Sequence, residues 1–204
     1  MYEDLKRVLQ ESEHIVFFGG AGVSTESNIP DFRSQSGIYS KKTYPYPAEV
    51  MISHDFFVTH PKEFYDFYFS EMVYENAQPN PAHIALAKLE EMGKLDAIVT
   101  QNIDGLHQKA GSKTVYELHG SIHRNYCMKC NRCSGCHRFY TLEEMKENRK
   151  EGIPVCPHCG KILKPEVVLY GEALDNAVVE ESIRCIAQAD TLIVGGTSLV
   201  VYPA

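Results

Sequence analysis

The stretch HIVFFGGAGVS, residues 14–24, decides the fold of this chain. Its first half is a run of apolar, β-type residues without polar alternation, which indicates a strand that is buried on both faces, as in a parallel sheet. The run breaks directly into glycines, the kind of turn that leads from the first strand of an α/β sheet into the next helix. The stretch therefore predicts the first unit of an α/β fold.

Helices and strands alternate along the rest of the chain. The pattern predicts helices at about 2–12 and 175–189, and strands at 97–100, 115–118 and 191–194. Two more helices begin at recognisable caps: Asn80-Pro81, followed by apolar Ala82, Ala85, Leu86 and Leu89, and the capping box Thr141-x-x-Glu144. This alternation predicts a Rossmann-like, doubly wound parallel sheet with helices on both faces.

Two segments interrupt the alternation and are expected to form a smaller domain. Residues 38–79 are rich in aromatic residues and prolines and predict a helical insertion, whereas residues 121–164 carry six of the seven cysteines and predict a metal-binding module. Residues 1–37, 80–120 and 165–204 would then form the discontinuous sheet domain. The chain ends directly after a strand and a glycine turn, so we expect this domain to be C-terminally truncated.

The composition is that of an ordinary globular protein, with 44% hydrophobic and 23% charged residues. A formal net charge of −7 argues against a protein that coats nucleic acid with its whole surface. The apolar runs fall far short of the about 18 residues that a membrane span needs, and no signal peptide is visible. We therefore expect a protein that binds neither membranes nor nucleic acid. The clustered cysteines in a chain without an export signal indicate reduced thiols, so we expect it in the cytoplasm, and we expect a monomer.

The cysteine spacing indicates a metal site. Two Cys-x-x-Cys pairs, separated by 25 residues, are Cys127/Cys130 and Cys156/Cys159. Four thiolates in this arrangement form a closed tetrahedral site for one structural zinc ion. A third pair, Cys133 and Cys136, could replace the first pair as ligands, and His137 or His158 could replace a thiolate.

Polar groups follow three of the predicted strands. They are the glycine turn after residues 14–18, Gln101-Asn102-Ile103-Asp104 after residues 97–100, and His119 after residues 115–118. The carboxyl ends of parallel strands line the crevice in which α/β sheets bind ligands, and glycine amides at a helix start attract a pyrophosphate. A histidine there can act as a general base near neutral pH.

Together these motifs resemble the sirtuin (Sir2) family of NAD-dependent protein lysine deacylases, in its bacterial type. GAGVS (20–24), IPDFR (29–33), TQNID (100–104), LHG (118–120), the paired Cys-x-x-Cys and GTSL (196–199) occur in the family's order. The resemblance implies a Rossmann-type domain with a smaller zinc-binding and helical domain. It implies an NAD-dependent protein lysine deacetylase that acts on acetylated lysine peptides and yields nicotinamide and O-acetyl-ADP-ribose.

The resemblance also implies roles for individual residues. NAD would be bound by Gly20, Ala21, Gly22, Asp31, Phe32, Arg33, Gln101, Asn102, Asp104, Gly196, Thr197 and Ser198. His119 would be the catalytic base, and Cys127, Cys130, Cys156 and Cys159 would hold the zinc ion. The peptide would add as an extra strand to the motif VVLYGE, residues 167–172, and contact Val168, Tyr170, Gly171 and Glu172.

Two other functions stay open at this point. The same NAD site could serve protein ADP-ribosylation, or the chain could be a non-catalytic NAD-binding or zinc-ribbon module. Residues 121–164 contain nine Lys/Arg against four Asp/Glu. This excess of positive charge would favour binding of nucleic acid or, as we prefer, offset the negative charge of zinc thiolates.

Relatives that prefer succinyl or malonyl lysine share a Tyr-x-x-Arg pair. Here Tyr65 is followed by Tyr68, which implies uncharged acyl groups, acetyl first.

Overall fold

The structure, a computed structural model, describes residues 2–35, 37–40, 44–129 and 139–201. Its α-helices are α1 (Tyr2–Glu11), α2 (Ala48–Met51), α3 (His54–Thr59), α4 (Pro61–Glu71), α5 (Pro81–Glu91), α6 (Leu106–Lys109), α7 (Leu142–Glu147) and α8 (Asn176–Gln188). Its strands are β1 (Ile15–Gly19), β2 (Leu95–Thr100), β3 (Val115–Glu117), β4 (Gly120–Cys127), β5 (Arg149–Lys150), β6 (Ile153–Pro154), β7 (Leu163–Val167) and β8 (Thr191–Gly195). Two 3-10 helices span Ala21–Ser27 and Ile38–Ser40. Within these ranges, no helix has both the length and the apolar character that crossing a membrane requires.

The chain forms two compact units. Unit 1 comprises Met1–Phe32, Asn76–Leu118 and Leu174–Ala204, and unit 2 comprises Arg33–Glu75 and His119–Ala173. Each unit is assembled from segments that are distant in the sequence, so neither is a continuous piece of chain.

Unit 1 is built on a four-stranded parallel sheet in the order β3-β2-β1-β8. Strand β1 lies in the middle, paired with β2 on one side and β8 on the other. Its Ile15 and Val16 are fully buried, because a central parallel strand has both faces covered. The predicted Rossmann-like arrangement is therefore present.

Helices cover both faces of this sheet. On one face Ile15, Phe17 and Ile98 form a core with Leu86 of α5, and Leu9 of α1 packs against it. On the other face Val16, Ala97 and Val99 form a second core, against which Val178 and Ile186 of α8 pack. Alternate residues of each strand thus serve opposite cores, which explains the continuous apolar runs in the sequence.

Helix α5 begins as predicted, and its apolar residues Leu86 and Leu89 pack in the core. Asn80 is its N-cap, with Oδ1 accepting from Ala82 N–H at 2.9 Å. The buried residues are His83 and Leu86, whereas Ala82 and Ala85 are exposed. Two of the four apolar positions, Ala82 and Ala85, are thus exposed, and His83 is a buried position that the apolar pattern did not indicate.

His83 contacts a second buried histidine, His107, with ring centroids 4.7 Å apart. Both side chains are at most 1% exposed. Asn80 N–H donates to His83 Nδ1 at 3.3 Å, whereas His83 Nε2 and both nitrogens of His107 make no hydrogen bond within the described residues. Burial lowers the pKa of His83, and burial together with His83 lowers the pKa of His107 to about 4.

This pair predicts that unit 1 loses stability in mild acid. The unfolded chain takes up a proton on His107 near pH 6.5, whereas the folded chain does so only near pH 4, so the unfolded state binds more protons between these values. The contribution is complete above about pH 6.5 and is lost as the pH falls toward 4; it amounts to roughly 3 kcal/mol. In denaturant titrations, His107→Leu should flatten the fall in unfolding free energy over this interval. The same substitution at exposed His14 is the control, and an unchanged slope in His107→Leu would refute the assignment.

Unit 2 combines short helices with the cysteine-bearing strands. Phe57 of α3 and Phe64, Tyr65 and Tyr68 of α4 are almost completely buried and pack edge to face or stacked. The Tyr65 hydroxyl donates to the main-chain oxygen of Leu163 in β7, which ties the helices to the strands. Strands β4 and β7 form an antiparallel ladder, and the predicted capping box at Thr141 starts α7.

Candidate active site

In unit 1, three strand ends meet around a glycine turn. Gly20 N–H donates to the main-chain oxygen of Gly195 at 3.2 Å, and Gly22 N–H donates to that of Gly196 at 2.8 Å. Gln101 N–H donates to the main-chain oxygen of Gly19 at 2.9 Å, which joins the end of β2 to the end of β1. The main chains of β1, β2 and β8 are therefore locked together at their carboxyl ends. We call this arrangement the glycine cradle.

The cradle has no room for side chains at two of its glycines. A Cβ on Gly22 would lie 2.8 Å from the Cα of Gly196. Gly196 has φ +63°, a left-handed conformation, and a Cβ there would overlap the backbone nitrogen of Val23. Bare backbone at the carboxyl edge of a parallel sheet, followed by a helical turn, is what a dinucleotide phosphate needs for close approach. The residues thus fit NAD.

Side chains of residues that follow β2 and β8 complete the cradle. Thr197 Oγ1 donates to Gln101 Oε1 at 2.9 Å and accepts from Leu199 N–H at 3.1 Å. Thr197 is half-buried, whereas Ser198 beside it is exposed. The predicted residues Gln101 and Thr197, which are 96 positions apart, are therefore in direct contact.

Ser24 links the other two polar residues after β2. Its hydroxyl donates to Asp104 Oδ2 at 2.7 Å and accepts from Asn102 Nδ2 at 3.1 Å. Asp104 Oδ1 also accepts from Leu106 N–H at 2.9 Å, so this carboxylate caps the start of α6. Ser24 and Asn102 are buried. This network holds the 3-10 helix after the glycine turn against the loop after β2.

The loop after the 3-10 helix is divided between the two units. Asp31 and Phe32 are half-buried in unit 1, whereas Arg33 is exposed and belongs to unit 2. The Arg33 guanidinium lies 5.7 Å from the ring centroid of Tyr39, a cation–π contact.

In unit 2, His119 stands directly before β4 and is half-buried. Its main-chain oxygen accepts from Val168 N–H at 2.9 Å, so it is tied to the segment after β7. In that segment, Tyr170 N–H donates to the main-chain oxygen of Ile52 at 3.1 Å. The main-chain oxygen of Tyr170 accepts from His54 N–H at 2.9 Å. The structure thus brings the candidate base and the candidate peptide-binding segment together.

Three of the predicted zinc ligands form a cluster in unit 2. The Sγ atoms of Cys127, Cys156 and Cys159 all lie within 4.8 Å of one another, and those of Cys127 and Cys159 are 3.4 Å apart. Cys127 ends β4, and the other two lie in the turn between β6 and β7. Cys130 and the alternative pair Cys133 and Cys136 lie outside the described residues.

The electrostatics of this cluster suit a metal. Burial would raise the pKa of Cys156, but hydrogen bonds from the Tyr140 hydroxyl and from the main-chain N–H groups of Cys159 and His158 outweigh it. The pKa of Cys156 is therefore lowered to about 6. A thiolate at neutral pH is the form that binds zinc. Three converging sulfurs that are largely shielded from solvent fit a structural zinc site with four cysteine ligands.

The model of the Sir2 family matches residues 20–203. The chain belongs to the Sir2 family. This Sir2 chain is 59% identical over 202 residues to an "NAD-dependent protein deacetylase" of Clostridium acetobutylicum, with 98% of this chain and 80% of that protein covered. It is 44% identical over 200 residues to one from Thermotoga maritima, with 97% and 76% covered.

Solved structures of Sir2 proteins have the same fold. One, described as "Sir2-p53 peptide-NAD+", has a TM-score of 0.83 and 41% identity, and the match covers 100% of this chain and 78% of that one. Another, described as "Sir2 bound to acetylated peptide", has a TM-score of 0.82 and 40% identity, with 100% and 78% covered. NAD+ in the first structure and the acetylated peptide in the second are of the kinds that the sequence motifs led us to expect, a cofactor and a peptide substrate.

Two groups of polar residues in this Sir2 chain were not among the predicted site residues. Ser24 stands inside the GAGVS motif, and its position beside the turn was a usable signal. His54 and Lys164 both bind Glu172 and lie 118 and 8 positions before it, and no local pattern marks them. They are described further below.

Proposed function

We propose that this Sir2 chain is an NAD-dependent protein lysine deacetylase, which transfers the acetyl group of a lysine to ADP-ribose and releases nicotinamide. The observation that carries the proposal is the glycine cradle, which presents bare backbone and the Gln101–Thr197 pair at one edge of the sheet. The fold, the family and the names of relatives up to 59% identical support the same reaction.

The residues predicted to bind NAD would have the following roles. Gly20, Ala21 and Gly22 would lie against the phosphates, and Gly196, Thr197 and Ser198 against the phosphate and adenosine side. Gln101, Asn102 and Asp104 would line the nicotinamide and ribose side, with Ser24 fixing the orientation of Asn102 and Asp104. Asp31, Phe32 and Arg33 would cover the bound molecule and exclude water. Bound NAD supplies an electrophilic ribose carbon and a leaving nicotinamide.

His119 would serve as the general base. The imidazole of His119 would accept a proton from a ribose hydroxyl of bound NAD, and general-base assistance of this kind makes an oxygen a better nucleophile toward an acyl carbon. The hydrogen bond from Val168 N–H to its main-chain oxygen keeps the residue in place before β4. Such assistance is typically worth about 10²–10⁴-fold in rate.

The acetyl-lysine peptide would add to residues 168–171 as an extra strand. Both main-chain groups of Tyr170 already bind Ile52 and His54, and the Val168 N–H binds His119, so we assign the main-chain contacts to the oxygen of Val168 and to Gly171. Tyr170 is 41% exposed, and its hydroxyl lies 2.8 Å from that of Tyr39.

The acyl group would be uncharged. Tyr65 and Tyr68 are fully buried in unit 2, and no arginine lies three positions after Tyr65 to pair with a charged acyl group.

The remaining assignments complete the proposal. Cys130 would join Cys127, Cys156 and Cys159 as the fourth ligand of one structural zinc ion. The NAD-binding domain, which the sequence predicts over residues 1–37, 80–120 and 165–204, would correspond to unit 1. We place the protein in the cytoplasm, where thiols stay reduced, as a monomer without affinity for nucleic acid.

Mass spectrometry of an acetylated lysine peptide incubated with NAD and this chain tests the function. We expect the peptide to lose its acetyl group and O-acetyl-ADP-ribose to form in equal amount. Gain of ADP-ribose by the peptide or by the chain, with the acetyl group retained, would instead establish protein ADP-ribosylation and refute deacetylation.

The glycine cradle itself predicts a binding effect. Gly196→Ala should raise the Kd for NAD at least about tenfold, because the new Cβ meets Val23 and forces the cradle open. Gly93→Ala is the matched control, since Gly93 also has a positive φ, +72°, but has no atom within 4 Å of its Cβ position. Both variants carry similar backbone strain, so calorimetric titration with NAD separates them. Equal NAD affinity in the two variants would contradict the cradle's role.

A further inference from the structure

Lys164 is a buried lysine, and its ammonium group binds residues that lie one to eight positions further along the chain. Its side chain is 4% exposed, and Nζ lies 3.0 Å from Glu172 Oε2. Nζ also donates to the main-chain oxygens of Val167 at 2.9 Å and Pro165 at 3.2 Å. Since an ammonium has three hydrogens, these contacts account for all of them.

The Glu172 carboxylate binds three groups of the same unit. Oε2 accepts from Leu169 N–H at 2.9 Å as well as from Lys164, and Oε1 lies 2.8 Å from His54 Nδ1. Burial would raise the pKa of this carboxyl, but the bonds from Leu169 N–H, His54 and Lys164 outweigh it and lower the pKa. The group is therefore a charged acceptor with donors on both oxygens.

These contacts act on the main chain of residues 167–172. Lys164 fixes the oxygen of Val167 and Glu172 fixes the N–H of Leu169, while His54 N–H binds the oxygen of Tyr170. His54 thus holds the segment through its ring and its backbone at once. The N–H of Val168, between these points, reaches the main-chain oxygen of the candidate base His119.

We propose that Lys164, Glu172 and His54 form a positioning network that shapes residues 168–171 for the acetyl-lysine peptide, and that Glu172 does not touch the peptide itself. The proposal deepens the proposed function and rests on it. A buried lysine–carboxylate pair adds little net stability, because the desolvation of two charges offsets their attraction. Its consequence here is a defined conformation of the segment that meets the peptide.

The test is steady-state kinetics of Glu172→Gln with an acetyl-lysine peptide and NAD. Glutamine has the same size, but it offers one acceptor oxygen and cannot accept from Lys164, Leu169 and His54 together. We expect the KM for the peptide to rise at least about tenfold, with kcat and the KM for NAD changed by less than about twofold. Glu166→Gln removes a carboxylate of β7 that is paired with Arg124 of β4. This variant should leave the KM for the peptide unchanged.

The double variant Lys164→Met/Glu172→Gln separates positioning from stability. It leaves no unpaired buried charge, so its thermal stability should exceed that of Lys164→Met alone, while the peptide KM stays raised. A peptide KM that returns to the unmodified value, or equal changes in both KM values and kcat, would overturn the positioning role. If the unmodified chain turns over no acetylated peptide, the proposed function itself fails; if it does and Glu172→Gln matches it, only the network's role fails.

Discussion

Replacing His119 with alanine should lower the deacetylation rate by about 10²–10⁴-fold, because the ribose hydroxyl loses its general base. The imidazole is half-buried, and the bond from Val168 N–H goes to the main-chain oxygen of His119, which alanine retains. The fold, the zinc content and the affinity for NAD should therefore stay unchanged. Single-turnover measurements with an acetylated peptide would show the loss in the chemical step.

The control for this substitution is His123→Ala. His123 is exposed and lies in β4, four positions after His119, so its loss removes an imidazole from the same region without touching the proposed base. Unchanged turnover in His119→Ala, or an equal loss in both variants, would remove His119 from the mechanism.

Replacing Cys156 with serine should remove zinc and destabilise unit 2 together. Cys156 is 1% exposed, and its thiol lies with those of Cys127 and Cys159, so a hydroxyl there deprives the site of one of its thiolate ligands. Because metal binding and folding are linked, we expect the free energy of unfolding to fall by roughly 4 kcal/mol or more. Zinc content by atomic spectroscopy and thermal unfolding measure the two effects.

Cys185→Ser is the matched control for the metal site. Cys185 lies in α8 of unit 1 and packs among the apolar residues of the second core, outside the cysteine cluster. Its substitution should leave the zinc content unchanged. If Cys156→Ser abolished activity but kept both zinc and stability, the cluster would not be a structural site.

Local sequence signals predicted the elements that depend on near neighbours. The apolar run at residues 15–18, the N-cap Asn80 and the capping box at Thr141 each form the element expected, because each signal lies within a few positions. The burial of His83 in α5 could not be predicted in this way. His83 counts as polar in any apolar pattern, and its partner His107 lies 24 residues further along the chain.

For the candidate site, the residue types could be predicted from the sequence, but their contacts could not. The residue types at the strand ends were visible, since parallel strands bring their carboxyl ends to one edge. The contacts of Gln101 with Thr197 and of Ser24 with Asn102 and Asp104 depend on strand order and could not be read. A lysine within a strand reads as exposed, so the burial of Lys164 against Glu172 needed the structure.

Nicotinamide release with and without an acetyl-lysine peptide tests the central claim most directly. It should be measured on this chain with the acetylated peptide, with the same peptide lacking the acetyl group, and without peptide. We predict release that depends on the acetylated peptide and equals the O-acetyl-ADP-ribose formed. Release that is independent of the acetylated peptide, or no release at all, would contradict the account.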